Sequence, residues 1–279
     1  MTPNRLSSVC AALLAPTLLA LGLNVAQAAV ITGRSALGTT NANILSVNPD
    51  GVGHVLLYPY YSAGSGNITL LSLTNTDTLN AKAVKVRLRA AQQGDAVFDL
   101  TVFLAPNDVW NAVVSRDAAT GGAQLSTADT SCTLPALVAN VPVAFGAARI
   151  NPQLSSGERL AQTLDGYVEA ITLADIPVSL ATGSLYQSIT HVNGVPRNCG
   201  SAAVLATLTD AVNEGAAAAM GFLAPTTGLQ GSWSLLNVTQ SLTFSGAPTA
   251  VQALDNGTGL PGRANYVLFP QTSAPATGV

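Results

Sequence analysis

The chain has 279 residues with 11 basic and 14 acidic side chains, a formal net charge of −3, and 9% charged residues where about 25% is ordinary. That balance excludes the basic footprint of a nucleic-acid binder, and it leaves little of the surface charge that keeps copies of a soluble protein apart. A hydrophobic content of 48% raises an outer-membrane barrel, but 2 Trp, 6 Tyr and 6 Phe are few for its two aromatic girdles.

The first 28 residues read as a cleavable secretory signal peptide. Arg5 supplies the positive start, the apolar run Ala11 to Leu23 is too short for a membrane anchor, and Ala26-Gln27-Ala28 has the small-x-small pattern of a cleavage site. Cys10 precedes the apolar run instead of following it, which argues against lipidation. Cleavage after Ala28 removes one arginine and leaves 10 basic and 14 acidic groups. The two remaining cysteines, Cys132 and Cys199, sit beside turn-forming residues, so an oxidising destination makes a Cys132–Cys199 disulfide the expectation, with two separate buried thiols as the alternative.

Residues 29–53 are rich in Gly, Asn, Ser and Thr and end in the turn signal Asn48-Pro49-Asp50-Gly51; they are expected as a flexible arm ahead of a β-sandwich domain over 54–270, with 271–279 a flexible tail. Strands are expected at His54–Tyr61 and Asn67–Asn75, joined as a hairpin by a Gly- and Ser-rich loop. Over Ala83–Ala90 the alternation is clean, with Val84, Val86 and Leu88 pointing one way and Lys85, Arg87 and Arg89 the other. Together with Lys82 these cations form a candidate interaction patch for lipopolysaccharide, another surface glycan or a neighbouring subunit. The more ordinary reading is a solvated face matched by cross-strand Asp95 and Asp99.

Turns at 92–95 and 105–108 lead into strands Val97–Leu104 and Val109–Val114, and five short strands at regular spacing predict a mainly β fold: an antiparallel β-sandwich with immunoglobulin-like elements. Residues 118–152 show little periodicity beyond a loop around Cys132. Gly166–Leu173 reads as a strand with Tyr167, Glu169, Ile171 and Leu173 on one face, where Glu169 is out of place if that face is core. One or two short helices are expected, the clearest over Ser201–Asn213, capped by Ser201, striped with Val204, Leu205, Leu208 and Val212, and stopped by Gly215. Gly66–Thr76 aligns position by position with Gly231–Ser241, which suggests two related halves, about 54–120 and 220–270, around a middle insertion.

No catalytic constellation emerges. After cleavage the histidines are His54 and His191, too few for a histidine-rich metal site. No Ser lies in a Gly-x-Ser-x-Gly elbow, although Ser, His and Asp could still meet in space. No cofactor is expected apart from calcium, for which the turns Asn48–Asp50, Asn75–Asp77 and Asp255–Thr258 offer oxygen ligands; turns closed on their own side chains are the simpler reading. Asn67, Asn237 and Asn256 each head an Asn-x-Thr triplet.

The stretches HVLLYPYYSAGSGNITLLSLTNTD, AKAVKVRLRAAQQGDAVFDLTVFLAPNDVW and LDGYVEAITLAD resemble secreted cell-surface proteins of Gram-negative bacteria, including surface-layer-like proteins that form sheets. The resemblance covers roughly residues 53–175, with a weaker echo around 229–256. It implies export, a β-rich fold and a structural role, and it assigns no ligand to any position. The expectation is therefore an exported, non-enzymatic protein that self-assembles at the cell surface. The alternative is a monomeric glycan- or polymer-binding module with Tyr58, Tyr60 and Tyr61 as a stacking platform, against which alternate tyrosines of a strand should be partly core.

Overall fold

A computed structural model describes residues 29–31, 41–208, 211 and 213–268, with backbone alone for 29–31 and 266–268. The expected signal peptide, the tail 271–279 and the end of the expected helix at Val212 lie outside the described residues. In chain order the elements are β1 (Ala29–Ile31), β2 (Ile44–Asn48), β3 (Val55–Ser62), β4 (Asn67–Asn75), β5 (Ala81–Ala90), β6 (Ala96–Leu104), β7 (Val109–Arg116), β8 (Ala123–Ser126), β9 (Thr133–Leu134) and β10 (Val143–Ala144). Then follow α1 (Ser156–Gln162), β11 (Asp165–Ile176), α2 (Leu185–Ile189), β12 (His191–Val192), β13 (Val195–Pro196), α3 (Ala202–Ala206), α4 (Glu214–Ala219), β14 (Leu229–Asn237), β15 (Leu242–Gly246), β16 (Thr249–Leu254) and β17 (Tyr266–Leu268).

Two antiparallel sheets carry the fold, one ordered β2-β16-β3-β11-β5-β6-β9 and the other β10-β8-β7-β4-β14-β15. They pack as a sandwich because each strand turns one apolar face inward: Leu71 and Leu73 from β4, Val84, Val86 and Leu88 from β5, Trp110 from β7, Val168 and Ala170 from β11. Beyond the larger sheet, on its outer side, Ala81, Ala83 and Phe103 form a second core with α2, α3 and the Cys132 region. That cover explains why all nine residues of β6 are buried.

The expected hairpin between the first two strands does not form. β3 and β4 belong to different sheets, because Ser65 and Gly66 take positive φ (53° and 82°) and turn the chain across the sandwich. Thr69 ties the corner, accepting from the Ser62 N–H at 2.9 Å and donating to the Ser62 carbonyl at 2.9 Å. Nor is the middle of the chain an insertion between two halves, since β11 lies between β3 and β5 at the heart of the larger sheet. The aligned segments are neighbours in one sheet, with Asn67 opposite Asn237 and Leu71 opposite Trp233. In this register odd-numbered residues of both strands face the core, while the alignment equates odd with even positions, so equivalent residues point to opposite faces. The similarity is therefore one of composition, not of structure.

Three further expectations are corrected. The segment expected as an arm contains edge strand β2, paired with β16 from Asn48↔Ala250 to Ile44↔Leu254. The helix expected over Ser201–Asn213 is confined to Ala202–Ala206, capped by Ser201 Oγ accepting from the Val204 N–H. A separate helix then starts at Asn213, which caps Glu214–Ala219, so Gly215 lies inside a helix instead of ending one. Four short helices are present among the described residues.

Candidate functional site

The four basic residues of β5 do not share a face. Lys82 has the inward parity of Val84 and Val86, and its side chain is wholly buried. Its Nζ donates to Asp175 Oδ1 at 2.6 Å and to the Thr226 carbonyl at 3.1 Å. Thr226 returns to the same carboxylate, with its N–H and Oγ1 donating to Asp175 Oδ2 at 3.0 and 2.6 Å. Burial pushes the Asp175 carboxyl above its ordinary range, against the opposing pull of Lys82 and Thr226.

Lys85, Arg87 and Arg89 point outward, yet Lys85 is also buried (4% exposed). Arg87 Nε donates to Asp99 Oδ1 at 2.9 Å across the strand pair, and Arg89 Nε to Glu169 Oε2 at 2.8 Å. Glu169 is thus an outer-face partner of Arg89, not a misplaced core residue, since Val168 and Ala170 face the core. Three of the four cations of the expected patch are paired within the fold, Lys82 with Asp175, Arg87 with Asp99 and Arg89 with Glu169: Asp99 is a cross-strand match, as the ordinary reading had it, and Glu169 stands where that reading had Asp95. For an electrostatic docking site the strand offers little field.

The tyrosines separate in the same way. Tyr58 and Tyr61 are buried (3% and 0% exposed), their hydroxyls donating to the Ser72 and Thr163 carbonyls. They share the inward face despite their odd spacing because the β3–β11 register slips between Tyr58↔Val168 and Tyr61↔Gly166. Pro59, which has no N–H to give to a ladder, sits in that irregularity. Tyr60 alone of the three is exposed, its hydroxyl donating to Asp165 Oδ1 at 2.6 Å. A single tethered ring is a poor stacking platform.

Cys132 and Cys199 are joined by a disulfide, with α-carbons 5.1 Å apart. It fastens the segment entering β9 to the loop ahead of α3, and so holds the helical cover on the outer side of the larger sheet.

The two histidines do different work. His54 is buried, with Nδ1 accepting from the Ala253 N–H at 3.0 Å, which places the proton on Nε2, where it donates to the Gly262 carbonyl at 3.0 Å. Desolvation, aided by the charge of Lys82, lowers its pKa to about 4. His191 lines a shallow surface depression with Asp108, Asp129 and Thr130, and its Nδ1 is 3.7 Å from Asp108 Oδ2. Ser131 lies beside these groups but donates its hydroxyl to Asp129 Oδ1 at 2.6 Å, a carboxylate and not an imidazole, so the nucleophile-to-base contact of a hydrolase triad is not made here.

Among the described residues no group of three or more His, Cys, Asp or Glu side chains converges as a metal site. The turns considered for calcium close on themselves: Asn48 Oδ1 accepts from the Asp50 N–H, Asn75 Oδ1 from the Asp77 N–H and Asp255 Oδ1 from the Gly257 N–H.

What sequence reasoning missed is the polar cluster at one end of the sandwich core, where Lys82, Asp175, Thr226 and His54 meet from four separated stretches of chain. One signal was available: Lys82 keeps the parity of the apolar residues of its strand. Comparison with family models, with curated proteins and with solved structures finds no match to this chain.

Proposed function

We propose that the mature chain is an exported structural protein that self-assembles at the cell surface through the edges of its sheets. The observation that carries this reading is an asymmetry between the two ends of the sandwich. At one end the terminal strands β9 and β10 are two residues long, and the Gly146 N–H donates to the Val97 carbonyl to bridge the sheets. At the other end the terminal strands are β2 and β15, five residues each. They lie together because β14 packs on β3 and a two-residue link, Ala247-Pro248, joins β15 to β16.

Natural sheets blunt such edges with Lys, Pro, bulges or short strands. Here neither β2 nor β15 holds a charged residue, and no Asp, Glu, Lys or Arg occurs from Gly215 to Leu254. The edges also expose apolar side chains: Leu45 is 75% and Phe244 58% exposed. Among the described residues no strand pairs with the outer edge of β2 or of β15, and such an edge flanked by exposed apolar residues is complementary to another copy of itself. The disulfide suits an oxidising destination.

Electron microscopy and sedimentation of the mature protein, with and without calcium, test this reading. Sheets, tubes or large oligomers are expected, and Val47→Lys with Phe244→Lys should yield soluble monomers with a nearly unchanged Tm, because folding and association use different surfaces. A monodisperse monomer under every condition would refute it.

A further inference from the structure

Lys82 and Asp175 face each other in register across β5 and β11, and their side chains are 0% and 1% exposed. A lone buried ion pair pays a large desolvation cost, and this one is set up for more than attraction. Nζ is 2.6 Å from Oδ1, the other carboxylate oxygen is held by the N–H and hydroxyl of Thr226, and a second carboxylate, Asp77 Oδ2, lies 3.9 Å from the same Nζ. The Lys82 stem is confined by the backbone of the neighbouring loop, since a Cβ on Gly228 would meet its Cε at 3.0 Å. An amine and a carboxyl withheld from water, two donors on the carboxyl oxygen and a nearby, partly exposed proton acceptor are the components of an amide-forming reaction.

We propose that Lys82 and Asp175 condense to an isopeptide bond that covalently joins β5 to β11. The Lys82 Nζ–Asp175 Cγ bond forms and the Cγ–Oδ1 bond breaks. Starting from the ammonium and carboxylate, two of the ammonium hydrogens end on Oδ1, which leaves as water, and no oxidant or reductant is required. Asp77 takes the proton that frees the Nζ lone pair and returns it to the leaving oxygen. Burial pushes the Asp77 carboxyl up, but hydrogen bonds from Asn80 and Leu79 and the charge of Lys82 outweigh this and keep it below its ordinary range, ionised and able to accept. Thr226 steadies Oδ2 as charge builds on it. This cross-link is independent of the assembly reading, because it lies inside one chain.

Intact-mass spectrometry of the folded mature protein, after reduction of the disulfide, tests the proposal. The expected mass is one water below that of the uncondensed chain, and proteolysis should release a branched peptide joining the segments that contain Lys82 and Asp175. Asp175→Asn should instead lose one ammonia, whereas Lys82→Arg and Asp175→Ala should show the uncondensed mass. Asp77→Ala should leave a substantial uncondensed fraction; full condensation in that variant would overturn the role given to Asp77. An uncondensed mass for the folded parent, with no branched peptide after prolonged incubation, would overturn the proposal whatever the variants do.

Discussion

Acidification from pH 7 to pH 5 should weaken this protein through His54. In the fold the ring bridges β16 and the loop after it, accepting from the Ala253 N–H and donating to the Gly262 carbonyl, and it is neutral with a pKa of about 4 against an ordinary 6.5. A depressed histidine means that the unfolded chain binds the extra proton first. The stabilising contribution is therefore complete above pH 6.5 and is lost as pH falls from 6.5 towards 4. Linkage over that interval puts the loss between pH 7 and pH 5 at about 2 kcal/mol. Urea unfolding of the mature protein at the two pH values measures it. His54→Gln, which has nothing to protonate there, should be less stable at pH 7 but much flatter across the interval. If the parent loses no more stability than this variant between pH 7 and pH 5, the reasoning about His54 is wrong.

Replacing both Cys132 and Cys199 with Ala frees a loop whose ends are 67 residues apart and should cost about 4 kcal/mol on the chain-entropy model, read as a shift in urea midpoint; non-reducing peptide mapping should recover the linked pair. Gly166→Ala should destabilise by about 1–3 kcal/mol or more, because the added methyl runs into the Arg89 carbonyl and the Tyr61 ring, and thermal unfolding would show it. Arg89→Met should cost at most about 1 kcal/mol, since its pair with Glu169 is part-exposed on both sides; a much larger loss in Tm would mean that the outer face contributes more than its exposure implies. Secretion should release a chain beginning at Ala29, which N-terminal sequencing checks and a retained Cys10 would contradict.

The positions of β3 to β7 and β11, several turns and the disulfide pairing were legible in the sequence by itself, because they depend on local chemistry: the alternation of Val84, Val86 and Leu88, the Gly-rich corners, and two cysteines beside turns in a chain whose start reads as an export signal. The mainly β sandwich followed from the number and spacing of such strands. Which strands pair was not legible, since β3 and β4 look like a hairpin until the positive φ at Ser65 and Gly66 sends them to opposite sheets. The same holds for the faces of the charges and tyrosines. A period-two pattern says that neighbours point oppositely, but only the register slip at Pro59 brings Tyr58 and Tyr61 to one side, and only the closed fold leaves the outward Lys85 buried. The repeat between residues 66–76 and 231–241 matched by letter and failed by pleat, because one residue of offset exchanges core for solvent. Tertiary structure alone decided that Lys82 and Asp175, 93 residues apart, share one dry site, because contact between distant segments is set by how the whole chain closes its core and by nothing local to either residue.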